Sequence, residues 1–324
     1  MDSSSFIKSP IDAELEDFRK LFDSSLSSSN FLLNNVIAHI RQRNGKMMRP
    51  ILVLLVARLY GAIRPATFHA AVSLELLHTA SLVHDDVVDE STERRGQLSV
   101  NAVFNNKVAV LAGDFLLATS LVHAGKTMSH EIISVVSCLG QDLADGELLQ
   151  LSNVSNPHFS EEIYFDVIRK KTAALFAACT KSAALSVNAS DEEAEFSRLF
   201  GEYIGICFQI KDDIFDYFES KEIGKPTGND MLEGKLTLPV LYALNSTNST
   251  WAQEIAVKVK EGIATPDEIG RLVDFTKSNG GIEYAVKMMK LYKGKALDLL
   301  HSLPPSEVCT ALEAYLDYVV DRDK

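Results

Sequence analysis

The sequence predicts an all-α protein, one domain over residues 1–324 whose central helices are buried on most sides. Three observations carry this. Ala, Leu, Glu and Lys are abundant and apolar residues recur at helical spacing, whereas alternating Val/Ile/Thr runs bounded by turn residues are few. Only 9 prolines and 17 glycines punctuate 324 residues, so few segments are broken. A hydrophobic fraction of 46% supplies a sizeable core and argues against disorder.

In chain order, the spacing predicts a helix over 30–43 and a second beginning near Pro50, after the Asn44-Gly45-Lys46 break. Pro65 suits the first turn of a third, which carries 70–89, because its missing N–H is an orphan there anyway. Residues 91–99, with Gly96, read as a loop. Long helices follow at 100–129, 129–151, 161–187 and 191–218, separated by Asn156-Pro157 and by 188–191. Residues 220–230 form a Gly/Pro/Lys-rich loop. Helices over 232–244, 250–262, 266–278, 281–303 and 305–320 complete the chain, with Thr265 as the N-cap before Pro266. The serine-rich 3–5 and 24–29 read as loop or local disorder. No short repeat, low-complexity segment or composition shift divides the chain.

The formal net charge of −12 argues against a nucleic-acid partner, which needs a basic face. It leaves room for an anionic substrate held by a local Lys/Arg cluster. Cys138, Cys179, Cys207 and Cys309 form no C-x-x-C pair, so buried, reduced thiols in a cytoplasmic protein are expected rather than a zinc site or disulfide. The start, Met1-Asp2-Ser3-Ser4-Ser5, lacks the basic and apolar regions of a signal peptide. The longest apolar run, from Ile51 to Ile63, is interrupted by Arg58 and too short for a bilayer. No transmembrane segment is expected; a peripheral membrane contact stays open.

Two acidic clusters stand out. Asp85, Asp86 and Asp89 form one D-D-x-x-D; Asp212, Asp213 and Asp216 form the other. On an α-helix these are i,i+3 and i,i+4 neighbours, so the carboxylates of each set share a face, where like charges repel. Both sets lie in apolar surroundings: the first follows 74–83, and Ile210, Ile214, Phe215, Tyr217 and Phe218 flank the second. A hard cation such as Mg2+, which prefers oxygen ligands and substrate phosphates, removes the conflict. One such motif alone reads slightly better as a solvated helix end; two copies shift the balance to metal. An EF-hand does not fit, because its loop needs a central Gly and a distal Glu.

A diphosphate also needs cations. Lys46 and Arg49, i,i+3 at a helix start, would add to the positive end of the helix dipole. Arg94 and Arg95 follow the first cluster. Lys171, beside Thr172, lies in an otherwise apolar helix, and Lys225 and Lys235 bracket the loop after the second cluster. Each alone reads as a solubilising residue; grouped around the aspartates they read as ligands. His78 lies two turns before Asp85 on the same face, where a satisfied core histidine and a diphosphate donor are comparable readings.

Together these residues resemble the trans-polyprenyl diphosphate synthases. Gly45-Lys46-Met47-Met48-Arg49-Pro50 is similar to that family's G-K-x-x-R-P. The run Leu77-His78-Thr79-Ala80-Ser81-Leu82-Val83-His84-Asp85-Asp86-Val87-Val88-Asp89, with Arg94-Arg95-Gly96, is similar to its first aspartate-rich motif. Gly113-Asp114, Gly146-Glu147, Lys171-Thr172-Ala173, the run from Phe208-Gln209 to Asp216, Gly224-Lys225-Pro226 and Glu233-Gly234-Lys235 also fit. Asn44, where many members have Gly, and Lys211, at an often apolar position, depart from the pattern.

The resemblance implies a single large helical bundle around a deep central cavity, usually a homodimer. It implies Mg2+ on Asp85, Asp86, Asp89, Asp212, Asp213 and Asp216. Arg94, Lys171, Lys225 and Lys235 would hold an allylic diphosphate, and Lys46, Arg49, His78 and Arg95 isopentenyl diphosphate. Thr172 and Gln209 would steady the allylic cation. The catalytic set is then Asp85, Asp86, Asp89, Lys171, Thr172, Gln209 and Asp212. Ionisation of the allylic C–O bond is helped by charge stabilisation on the leaving diphosphate, which also takes the final proton, and the 224–230 loop serves as a lid. Ala80 and Ser81, small residues about 6–7.5 Å below the cluster, point to a long product; the run around them is most like octaprenyl-type bacterial synthases feeding quinone side chains. Packing against a neighbouring helix is the plain alternative for both. The intact second motif with Lys46, Arg49 and His78 argues against a terpene cyclase, intact metal motifs against a non-catalytic subunit, and buried carboxylates against a plain scaffold.

Overall fold

Four apolar residues at helical spacing, Ile7, Ile11, Leu15 and Phe18, are buried to 0–2% exposure near the start of the chain. They place helix where the serine-rich composition suggested loop: α1 (Ser3–Lys8), a 3-10 turn (Ser9–Ile11) and α2 (Asp12–Ser25). The structure is a computed structural model and describes residues 3–42, 47–94, 96–153, 159–218 and 227–322.

Helix α3 (Phe31–Arg41) is opened by Asn30, whose Oδ1 accepts from the Leu33 N–H at 3.1 Å. In α4 (Met48–Tyr60) every residue over 51–57 is buried, as an all-round apolar helix requires. Pro65 starts α5 (Pro65–Val88), as predicted. The loop after it contains a small antiparallel hairpin, β1 (Glu93–Arg94) on β2 (Gln97–Leu98), with Gly96 at φ 75°.

The helix predicted over 100–129 is two. Asn105 takes φ 80°, which ends α6 (Val100–Phe104), and its Oδ1 caps the Val108 N–H of α7 (Asn106–Lys126) at 3.2 Å. With ψ at 165° this is a strained conformation for a residue other than glycine, and the short polar arm of Asn105 caps the next helix from it. Helix α8 (His130–Asn153) follows. The helix predicted over 161–187 is continuous but not uniform: α9 (Glu161–Ile168) and α10 (Ala174–Ser186) are joined by a π-helical turn, Arg169–Ala173. Helix α11 (Asp191–Phe215) stops short of the predicted end at 218. Then come α12 (Asn229–Leu232), α13 (Leu238–Ser246), α14 (Thr250–Lys260), α15 (Pro266–Ser278), α16 (Gly281–His301) and α17 (Glu307–Asp321). Thr265 caps α15 as predicted, in a reciprocal box with Glu268.

The helices group into two compact units, each assembled from three stretches of chain: Met1–Gln141, Leu175–Gly201 and Leu300–Tyr315 in one, Asp142–Ala174, Glu202–Leu299 and Leu316–Lys324 in the other. In the first, α5 lies along α7. Small and hydroxyl residues allow that approach: Ser73 and Ser120 hydroxyls meet at 3.1 Å, and Ser120 also donates to the Ser73 carbonyl at 2.7 Å. Thr67 and Ser186 join α5 to α10 at 2.7 Å. In the second unit, α13, α14 and α15 close around Val240, Leu244, Ile255, Val259 and Leu272, with Tyr217 and Met231 packed in. The thiols of Cys179, Cys207 and Cys309 are buried and free as expected; Cys138 is free but exposed.

Candidate active site

In the first unit the aspartates sit at the C-terminal end of α5. They are not equivalent. Asp86 is buried to 1% side-chain exposure, Asp85 is half-buried, and Asp89 is the exposed C-cap residue. The hairpin returns Arg94 to this end, where its Nε donates to Asp86 Oδ1 at 2.5 Å. Asn101 of α6 fixes the turn by donating to the Asp86 and Ser91 carbonyls at 3.1 and 3.0 Å. Arg49 lies in the first turn of α4, its guanidinium 5.9 Å from the Phe176 ring centre. Its Nε is buried with no hydrogen-bond partner among the described residues. Met47 is left-handed at φ 51° and α4 starts only at Met48. The predicted pairing of Lys46 with Arg49 falls on a residue outside those described; Arg95 lies outside them too. His78 is half-buried on α5, two turns before Asp85. Ala80 is 2% exposed, and Ser81, half-buried, returns its hydroxyl to the His78 carbonyl at 2.9 Å.

In the second unit one hydrogen-bonded line runs through the predicted residues. Thr172 Oγ1 donates to Gln209 Oε1 at 2.6 Å, and Gln209 Nε2 donates to Asp213 Oδ1 at 2.8 Å. Tyr164, which the sequence reading missed, donates its hydroxyl to Asp213 Oδ2 at 2.5 Å. Both Asp213 oxygens are thus occupied inside the fold, and burial, against these hydrogen bonds, pushes its carboxyl above the usual range. Asp216 is turned onto the start of α12: its carboxylate accepts from the Asn229 and Asp230 N–H groups at 2.9 and 3.1 Å, and its carbonyl from Gly228 at 2.8 Å. Burial, with Asp213 and Asp216 close by, also raises the Asp230 carboxyl well above its usual range.

Asp212 is partly exposed, its side chain 41% accessible. Arg322, just past α17, donates to Asp212 Oδ1 at 2.6 Å and to the Phe208 carbonyl at 3.0 Å, while stacking 3.9 Å from the Phe208 ring centre. A lone arginine near the chain end carries no local signal, so sequence reasoning had no means of finding it. Lys211 lies 4.9 Å from the Phe215 ring centre, a cation–π contact that absorbs its unusual placement.

Lys171 owes its position to the π turn. Gly146 of α8 presses on that turn so closely that an added Cβ would lie 2.9 Å from Lys170 Cβ and 3.1 Å from Lys171 N. The two lysines straddle it, Lys170 pairing with Asp145 and Lys171 with Glu147. A π turn inside an α-helix is often a functional feature, and the lysine run within an apolar helix was its only sequence signal. Lys235 pairs with Glu233 at 2.6 Å. Lys225 and the first three residues of the predicted lid, 224–226, lie outside the described residues; Gly228–Asp230 is the part that Asp216 anchors.

The acidic residues offer hard oxygen donors, the set that magnesium or calcium prefers. Among the described residues no group of three His, Cys, Asp or Glu is gathered closely enough to hold a metal ion. A cation bound by these carboxylates would need waters or substrate phosphates to complete its shell.

Comparison with known proteins agrees with this chemistry. The polyprenyl synthetase family model matches residues 30–275. The octaprenyl diphosphate synthase of Haemophilus influenzae is 34% identical, over 96% of this chain and 95% of its own. Among solved structures, a geranylgeranyl pyrophosphate synthase from Bacteroides thetaiotaomicron superposes with a TM-score of 0.89 at 70% identity, covering 99% of this chain and 100% of its own. A polyprenyl synthase from Caulobacter crescentus, complexed with calcium and isoprenyl diphosphate, gives 0.92 at 29% identity, covering 99% and 98%.

Proposed function

The chain belongs to the polyprenyl synthetase family and is a trans-prenyltransferase; from that premise we propose that it elongates farnesyl or geranyl diphosphate with isopentenyl diphosphate, using Mg2+, to a long all-trans polyprenyl diphosphate for a quinone side chain. One observation carries the assignment of roles. A D-D-x-x-D aspartate in each unit is held against an arginine, Asp86 by Arg94 and Asp212 by Arg322, so acid and cation are delivered together.

Asp85, Asp86 and Asp89 in the first unit, and Asp212 with its motif partners in the second, would hold metal, which would supply Lewis acidity to a leaving diphosphate. Arg94, Lys171 and Lys235 bind that diphosphate and stabilise the charge growing on it. Their resting carboxylate partners keep the cations in place before substrate arrives. Arg49, whose buried Nε lacks a partner among the described residues, is suited to isopentenyl diphosphate. The Thr172–Gln209 pair, fixed by Asp213, presents oriented dipoles to the allylic cation.

A product assay tests the reading. With Mg2+, isopentenyl diphosphate and farnesyl diphosphate, mass spectrometry should give a ladder ending near the octaprenyl product, and EDTA should abolish it. The 70% identical Bacteroides protein favours a second reading, geranylgeranyl diphosphate; a single short product would establish it. No elongation from any allylic primer would overturn both.

Helix α7 supports a homodimer. It is long and apolar enough to cross a membrane by length and composition. One face packs on α5, while the other exposes Val110, Leu111, Leu121 and Val122 in a stripe. We assign that stripe to a second copy of the chain. Leu111→Lys with Val122→Lys should convert dimer to monomer in light scattering; a wild type that is already monomeric would sink the assignment.

A further inference from the structure

We propose that Gly113 is a positioning residue for the first aspartate cluster, acting through His84. His84 directly precedes Asp85 on α5. Its Nε2 lies 3.2 Å from the Val110 carbonyl and 3.5 Å from Asp114 Oδ1, both on α7. A carbonyl only accepts, so Nε2 carries the proton and the ring is held in one tautomer. Gly113 lies immediately under the ring. A Cβ at that position would come under 3.0 Å from three ring atoms, Nε2, Cδ2 and Cε1. Helix α7 therefore offers a seat with hydrogen-bond acceptors beside it, which a side chain at 113 could fill only by displacing the ring. Ring and carboxylates are on adjacent residues of one helix, so seating the ring fixes how that helix turns Asp85 and Asp86. This gives a physical task to the Gly113-Asp114 pair, which the reaction chemistry itself leaves unused.

The inference rests on the reading that the first cluster binds a divalent cation. Its test is Mn2+ binding followed by electron paramagnetic resonance in an Asp212→Ala background, so that the first cluster dominates. Asp85→Ala should abolish the strong site; unchanged binding there would remove the metal reading and this inference with it. His84→Ala should weaken Mn2+ about tenfold, the usual scale for a group that orients a ligand. Gly113→Ala should weaken it at least as much. The double variant should bind no more weakly than His84→Ala alone, because without the ring the added methyl meets nothing. Additive losses would overturn the proposal. If Gly113→Ala does not fold, His84→Ala decides: a native melting temperature with unchanged Mn2+ affinity refutes the seat. The KM for isopentenyl diphosphate should stay constant in His84→Ala while that for the allylic substrate rises.

Discussion

Replacing Asp212 with alanine is expected to lower kcat by about two to three orders of magnitude, the scale for losing a preorganised electrostatic element at the departing group. The fold should survive. Asp212 is 41% accessible, and Arg322 keeps its Phe208 carbonyl and ring when the carboxylate goes. Tyr164→Phe should behave in the opposite way. It removes the hydroxyl that serves the buried Asp213 Oδ2 and leaves that oxygen unsatisfied, which costs about 1–3 kcal/mol. Thermal melts and turnover on both variants separate the roles within one motif: Asp212 lost in rate, Tyr164 lost mainly in stability. An Asp212→Ala enzyme within a few-fold of the parent would end the case for the second cluster as the charge-stabilising device.

The second large effect is on product length. Ser81→Phe is expected to collapse the product ladder to farnesyl and geranylgeranyl diphosphates while retaining the first condensation. Ser81 lies one helical turn before Asp85, about 6 Å along the axis, on the same side. Its half-buried hydroxyl is returned to the His78 carbonyl, so the side chain presents little bulk or polarity to an apolar tail. A phenyl ring there would close the path. If Ser81 and Ala80 only fill a helix contact, the outcome differs in kind. Overpacking would then cost about 1–3 kcal/mol and lower the melting temperature, with the products unchanged.

The aspartate motifs illustrate how far local spacing reaches. Spacing located both clusters and matched each to cations, and the structure pairs Asp86 with Arg94 and joins Thr172 to Gln209 and Asp213. Spacing placed each set on one face without telling its members apart, and the fold does that. Asp86 and Asp213 are turned inward, Asp89 is the C-cap residue of α5, and the Asp216 carboxylate accepts from the first two N–H groups of α12. Environment, not residue type, sets what each carboxylate can do.

By itself the sequence determined that the protein is helical, where most helices begin, and which residue types carry diphosphate chemistry. Those properties follow from period, capping and local charge, which act over a few residues. Only the tertiary structure decided that the π turn at Arg169–Ala173 is pressed by Gly146, that Tyr164 and Arg322 attend the second cluster, and that His84 sits on Gly113. Each joins residues far apart in the chain, where hydrogen-bond geometry and close packing leave no trace in local composition.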